Sequence, residues 1–310
     1  VDELAGLLDG PRARGAFLLR AQLAPPWSMR IQDEAPLTLV AVLRGSAWVC
    51  FDDGSTRKLT AGDVAVLRGP DPYTFCDHPD TTPQVVVGPE QVCTTPAGQE
   101  VVMTGLGLRT WGNDPHGPTT LLVGTYQLRG EVSRRLLGAL PVLVVVAVPD
   151  SPVMTLLAAE ISRDEPGQEA VLDRLLDLLL IDVLRKWFAG PESGPWYRAY
   201  ADPVVGRALR LLQHRPEHPW TVATLAAATG VSRAALARRF TELVGEPPMA
   251  YLTGWRLALA ADLLRDPDTT LAAVARRVGY SSPFALSAAF KRAHGVSPQR
   301  HRQGAAARPG

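Results

Sequence analysis

Two stretches decide the fold of the C-terminal third: Leu225-Ala-Ala-Ala-Thr-Gly-Val-Ser232, running on through Phe240 to Gly245, and Val274-Ala-Arg-Arg-Val-Gly-Tyr-Ser-Ser282, running on through Phe290 to Gly295. They are two copies of one pattern. Ala226 and Ala275, like Gly230 and Gly279, lie 49 residues apart, whereas Phe240 and Phe290, Gly245 and Gly295, and Pro248 and Pro298 lie 50 apart. The second copy therefore has one extra residue in its turn. Each repeated position has a physical reason. A small Ala lets two helices cross closely. A Gly takes the left-handed conformation that ends a helix, and Ser232 and Ser282 suit the N-cap of the next one, where a hydroxyl accepts a backbone N–H. Leu236 with Phe240, and Leu286 with Phe290, form apolar i, i+4 pairs on the buried face and leave the opposite face free. Each copy thus reads as a helix-turn-helix hairpin. The helical run Pro248–Leu264 between them, about 25 Å long at about 1.5 Å per residue, acts as the spacer.

Charge points the same way. From residue 203 onward there are 15 Lys/Arg against 6 Asp/Glu, while residues 1–202 hold 17 against 25, so a net charge of +1 conceals a basic C-terminal third. Such asymmetry suggests that one part meets a polyanion and the other does not.

Upstream the period changes. At 310 residues, 46% apolar and 20% charged, the chain is expected to fold as two or more domains. Ala16–Leu19, Leu37–Leu43, Ala47–Phe51, Asp63–Leu67 and Tyr73–Phe75 are short strand-like runs with dense turn signals between them. Asp53-Gly54 is the strongest of these, because Gly tolerates the positive φ of a tight hairpin. Evenly spaced short strands point to a barrel or sandwich. Thr119–Leu128 and Val142–Val148 read as later strands flanking a short helical stretch near Val132–Leu140. Pro152–Ser162 and Gln168–Phe188 are helical, the second so apolar that it packs in a core or against a partner. Ala189 to Pro195 reads as a linker. Asp177 and Asp182 interrupt the most apolar run, Leu175–Leu184, so no membrane span is expected. Val1-Asp-Glu-Leu shows no secretory start, and three cysteines fit a reducing cytoplasm.

Residues 203–303 resemble the DNA-binding domain of the AraC/XylS family. The resemblance rests on Thr221-Val-Ala-Thr-Leu-Ala, Gly230-Val-Ser-Arg, Arg238-Arg-Phe, Gly245-Glu-Pro-Pro, Trp255-Arg256, Ala260-Ala-Asp-Leu-Leu, Val278-Gly-Tyr-Ser-Ser, Phe290-Lys-Arg and Gly295-Val-Ser-Pro. It implies seven helices, with two recognition helices entering successive major grooves of double-stranded DNA about 34 Å apart. It also implies a homodimer and contact with RNA polymerase. Carried over by position, Ser232, Arg233, Ala234, Ala237 and Arg238 face the groove in the first unit, with Arg238 matched to guanine or to a phosphate. In the second unit the matching residues are Ser282, Pro283, Phe284, Ser287 and Ala288. The family often has polar or basic side chains there, so this unit is expected to position the protein through Lys291 and Arg292 more than to read sequence.

Residues 14–128 resemble the cupin-type barrel that precedes this module in many family members. Leu43-Arg-Gly45-Ser-Ala-Trp-Val, Leu59-Thr-Ala-Gly62-Asp-Val-Ala-Val-Leu, Thr120-Leu-Leu-Val-Gly124-Thr-Tyr126 and Leu140-Pro141 carry the likeness. The expected architecture is α+β multidomain, a cupin-like β-barrel with following helices and then an all-α domain. Its parts are a sensor domain over 1–150, a helical dimerisation region over 151–190, a linker over 191–202, the DNA-binding domain over 203–303 and a disordered tail over 304–310. Metal-dependent cupins carry a His-x-His pair and a later His. No histidine precedes His78, and Ala65 stands about where the later one falls, so no enzyme is expected.

Three readings of Cys76-Asp-His78 and Cys93 stand side by side. Thiolates and imidazole suit Zn²⁺, with Cys50 or His116 as a fourth ligand. Cys76 and Cys93 could form a reversible disulfide. All three cysteines could instead be small core residues. Trp27, Trp48, Tyr73 and Trp111 are candidates to line an apolar pocket for an unidentified effector, although aromatics in small barrels commonly serve as core, and no charged residue identifies a ligand class. The expected function is a sequence-specific, cytoplasmic DNA-binding regulator controlled by a signal in the first domain, sensed as a metal or redox change at Cys76, His78 and Cys93 or as a small molecule.

Overall fold

Alternating apolar positions make short strands wherever one face is buried, and the first half of the chain is built almost entirely this way. The computed structural model describes residues 17–101, 106, 109–126, 131, 132, 138, 140–190, 195–266 and 268–306. Those residues divide between two compact units, one holding 17–126 and 140–190, the other 131, 132, 138 and 195–306.

The first unit begins with β1 (Phe17–Leu23), β2 (Ser28–Ile31), β3 (Leu37–Arg44), β4 (Ser46–Phe51), β5 (Thr56–Thr60) and β6 (Asp63–Arg68). It continues through β7 (Tyr73–Cys76), β8 (Val85–Val87), β9 (Cys93–Thr94), β10 (Thr110–Gly112), β11 (Thr119–Tyr126) and β12 (Leu143–Ala147). These form two six-stranded sheets with the orders β10-β1-β11-β3-β6-β12 and β5-β4-β7-β2-β8-β9. The hairpin expected at Asp53-Gly54 joins β4 to β5, with Gly54 at φ 84° and its N–H donating to Phe51 O at 3.0 Å.

The expected β-barrel is not closed. Among the described residues no strand pairing links the two sheets, which end at β10 and β12, and at β5 and β9. A barrel requires its last strand to hydrogen-bond to its first. Short alternating strands and tight turns are common to barrels and sandwiches alike, so the local pattern does not distinguish them. The sheets face each other across one apolar core that draws Ala21, Val40 and Leu121 from one and Met29, Val49 and Phe75 from the other.

The outer face of the first sheet is covered by α1 (Pro152–Glu160) and α2 (Gln168–Ala189). Buried Tyr126 donates its hydroxyl to Leu176 O at 2.9 Å. Gly124 lets α2 approach, because a Cβ there would lie 2.7 Å from the Leu176 side chain. Leu172, Leu176, Leu179, Val183 and Leu184 of α2 are buried, while Val171 and Leu178 remain exposed. Of the helix expected near 132–140, Glu131 and Val132 are helical, and residues 133–137 and 139 lie outside the described residues. Residues 191–194 of the expected linker also lie outside them.

The second unit is all helical: α3 (Pro195–Ala201), α4 (Val205–His214), α5 (Val222–Thr229), α6 (Arg233–Val244), α7 (Pro248–Leu263), α8 (Leu271–Arg277), α9 (Pro283–His294) and α10 (Pro298–Ala306). Among the described residues no helix is long and apolar enough to cross a membrane.

Gly112 tests the sheet assignment. Its φ is 150°, and a Cβ there would fall 1.7 Å from the backbone oxygen of Gln22 on the paired strand. Gly112→Ala is expected to cost on the order of 3 kcal/mol or more, seen as a lowered midpoint for the sheet unit's transition in urea. An unchanged midpoint contradicts the close approach of β10 to β1.

Candidate nucleic-acid interface

The repeated residues act as their chemistry dictates. Ser232 Oγ accepts the Ala235 N–H at 3.2 Å and Ser282 Oγ accepts the Ala285 N–H at 3.1 Å, so each serine caps its helix. Gly230 and Gly279 adopt φ values of 75° and 82° between the paired helices. The extra residue of the second copy lies in the turn between α8 and α9. Leu236, Phe240, Leu286 and Phe290 are fully buried.

On the opposite faces the candidate residues stand as follows. In α6, Arg233, Ala234 and Arg238 are exposed and Ala237 is half-buried; the cap Ser232 is exposed. In α9, Pro283, Phe284, Ala288, Lys291 and Arg292 are exposed and Ser287 is half-buried, as is the cap Ser282. Phe284 is 84% exposed, an unusual position for a large aromatic ring. The Arg238 guanidinium lies 3.8 Å from the Glu242 carboxylate. An exposed pair of that kind contributes little, so it leaves Arg238 free to exchange Glu242 for another partner. Arg276 and Arg277 are also exposed.

Two polar clusters hold the helices in register. Arg256, in the middle of α7, donates from Nε to Pro216 O at 2.7 Å and from Nη2 to His218 O at 2.9 Å. Burial pulls its pKa down from the usual value. Gly279 presses on the same loop, for a Cβ there would lie 2.8 Å from both Glu217 Cα and Pro216 O. In the second cluster, Asp202 accepts the Val204 and Val205 N–H groups at 3.0 and 2.9 Å and the Nε of Arg239 at 2.7 Å. Burial alone would raise its pKa, but these backbone bonds and Arg239 outweigh it and hold the carboxyl below its usual range. The motif around Arg256 carries no sign of this role, because its carbonyl partners are some forty residues away.

The cupin family matches residues 2–189, and the helix-turn-helix domain family matches residues 225–304. An AraC-like transcription regulator of Streptomyces antibioticus is 33% identical over 289 residues, which cover 89% of this chain and 90% of that protein. The chain belongs to the AraC family of transcription regulators. The regulator AlkR of Acinetobacter baylyi is 28% identical over 314 residues, covering 98% of this chain and 99% of the relative. Among solved structures, the DNA-binding domain of AdpA in complex with a target DNA is 37% identical, covering 34% of this chain and 95% of that one, at a TM-score of 0.32. This AraC-family chain is a DNA-binding transcription regulator with an accessory cupin-family region ahead of its helix-turn-helix units.

The proposed metal or redox site at Cys76, His78 and Cys93 is corrected. No cluster of His, Cys, Asp or Glu able to hold a metal ion occurs among the described residues. Cys76 ends β7 and is buried, His78 lies in an exposed turn facing Asp80 at 3.4 Å, and Cys93 lies on β9. Strands β2 and β8 intervene between β7 and β9. Three interstrand steps of about 4.8 Å separate the two cysteines by about 14 Å, too far for shared zinc ligation or a disulfide. His116 is exposed in a turn elsewhere. The neighbour of Cys76 is instead Cys50 on β4, with Sγ atoms 3.7 Å apart, and both are free thiols. Burial, followed by Cys50, pushes the Cys76 thiol up to about 12, which makes it a poor thiolate.

Of the four aromatics considered for a pocket, Tyr73 and Trp111 line a cavity between the sheets. Trp27 packs in the core, and Trp48 is half-buried with the Lys58 ammonium 5.8 Å from its ring centre.

Arg256→Ala leaves the Pro216 and His218 carbonyls without their partner and is expected to destabilise the helical unit by on the order of 2 kcal/mol in urea unfolding. Arg256→Lys recovers at most part of this, because an ammonium lacks the planar fork. For Asp202 the depressed pKa means that its contribution is present above the unfolded value of 3.8 and is lost as pH falls through the lower folded value. Asp202→Asn should therefore be less stable than the parent at pH 7, with the gap closing in acid. A gap that is constant with pH contradicts the pairing.

Proposed function

We propose that this regulator lays α6 and α9 in successive major grooves of duplex DNA, with α6 reading bases and α9 chiefly anchoring the protein. The observation that carries this is the two-sided character of both helices, a buried Leu–Phe pair on one side and an exposed face on the other. On α6 that face bears Arg233 and Arg238, whose planar guanidinium matches guanine O6 and N7. On α9 it bears Phe284 and Ala288, suited to apolar contact with thymine methyls, and Lys291 and Arg292, suited to phosphates.

The reading extends to a homodimer working in the cytoplasm. Val171 and Leu178 of α2 are 44% and 46% exposed and lie seven residues apart, the spacing of a helix–helix seam. The sheet unit carries no reaction of its own in this scheme. Contact with RNA polymerase follows from the family resemblance.

A duplex selected from a random library tests the division of labour. Arg238→Ala is expected to cost on the order of tenfold on the selected duplex and little on random DNA. Lys291→Ala should weaken both equally and reduce the dependence of log K on log salt by about 0.9. Equal losses on both DNAs for both variants would reject the scheme. Leu178→Glu should shift sedimentation from dimer to monomer, and an unaltered dimer removes α2 from the interface.

A further inference from the structure

We infer that the cavity between the two sheets binds a slim apolar molecule with a cationic, ammonium-type head. The cavity has a volume of about 410 Å³, within the roughly 300–1,000 Å³ of small-molecule sites. Its walls follow from the two-residue period of the strands. Leu19 and Ala21 of β1, Met29 and Ile31 of β2, and Leu121 and Val123 of β11 all point inward, two residues apart on each strand. The walls are therefore aliphatic, with Tyr73, Phe75 and Trp111 as the aromatic contribution.

Among the described residues, the charged groups that line this cavity are all of one sign. Asp33 and Glu100 are lining residues, and no Lys, Arg or His is. Glu100 and the neighbouring Val92 are exposed, which marks the mouth. Asp33 is half-buried and fixed: one carboxylate oxygen accepts the Ala35 N–H at 3.1 Å, and the other accepts the Gln91 side-chain amide at 2.9 Å. Each oxygen keeps a second lone pair for a ligand.

Apolar walls weaken dielectric screening. A ligand carboxylate would meet two negative charges there and lose part of its hydration. An ammonium would meet two acceptors of opposite charge, one of them already held in place. A neutral alcohol lies between these cases. The site thus favours a cation over an anion on an otherwise identical hydrocarbon chain.

Three probes of equal length separate the head group from the chain: dodecylamine, dodecanol and dodecanoate, the two ions below their micelle concentrations and the alcohol below its solubility limit. They are titrated into the full-length protein by calorimetry and by tryptophan fluorescence, which Trp111 reports. Dodecylamine is expected to bind about two- to fivefold more tightly than dodecanol, with dodecanoate weakest. Asp33→Asn should bring the amine to the level of the alcohol and leave the alcohol unchanged. The asparagine can still accept the Ala35 N–H, so the loop keeps its shape. Glu100→Gln, at an exposed position, should reduce the same preference without touching the fold. Dodecanoate binding as tightly as the amine, or an unchanged preference in both variants, overturns the charge assignment. Failure of all three probes to bind overturns the cavity as a site. Binding that survives Val123→Phe, which fills the cavity, shows adsorption elsewhere and also overturns it. None of these outcomes bears on the DNA-binding scheme, which is measured on duplexes.

Discussion

The helical unit depends on one guanidinium. Arg256 reaches from the spacer helix α7 to two carbonyls of the loop that leads into the first helix-turn-helix. The turn of the second helix-turn-helix, at Gly279, packs on that same loop at backbone contact distance. A side chain with two directed donors and a glycine with no side chain together make the loop a common bearing for both hairpins. The caps at Ser232 and Ser282 shape each hairpin; Arg256 relates one to the other. Two grooves of a stiff duplex can be engaged together only if that relation is held.

Close backbone approach organises the sheet unit as well. Gly112 sits against Gln22 and Gly124 against Leu176, and Tyr126 closes the second contact with a hydrogen bond to α2. Between the sheets the opposite condition prevails. Ala21, Val40, Val123 and Thr125 are small, and the inward row they form does not fill the gap, so a cavity remains. Tight packing outside and loose packing inside are properties of alternate residues on the same strands.

What was legible in the sequence was local. A cap serine, a positive-φ glycine and an i, i+4 apolar pair act within about a dozen residues, so the hairpins α5–α6 and α8–α9 could be read almost to the residue. The strand pairing that leaves the sheets open is a relation among segments far apart, and no single segment encodes it. β5, Thr-Arg-Lys-Leu-Thr, was legible only as the far side of the Asp53-Gly54 hairpin, because four of its five residues are exposed and only Leu59 is buried. Cys76 and Cys93 looked like partners because they are close in sequence, yet β2 and β8 insert between their strands. Cys50, farther away in sequence, is the true neighbour. Asp33 gave no signal, since a lone loop carboxylate becomes informative only when a cavity lies beside it.

Asp262 on α7 has a half-buried carboxylate that accepts the N–H groups of Glu131 and Val132 at 2.7 and 3.1 Å. Its donors come from the connection between β11 and β12, well ahead of the helical unit in the chain. The helical unit therefore draws two of its hydrogen-bond donors from a segment well ahead of it in the sequence. A cut within 191–194 retains every helix from α3 to α10 but removes the groups that satisfy Asp262. In a fragment cut there, water takes the place of the Glu131 and Val132 N–H groups at the Asp262 carboxylate.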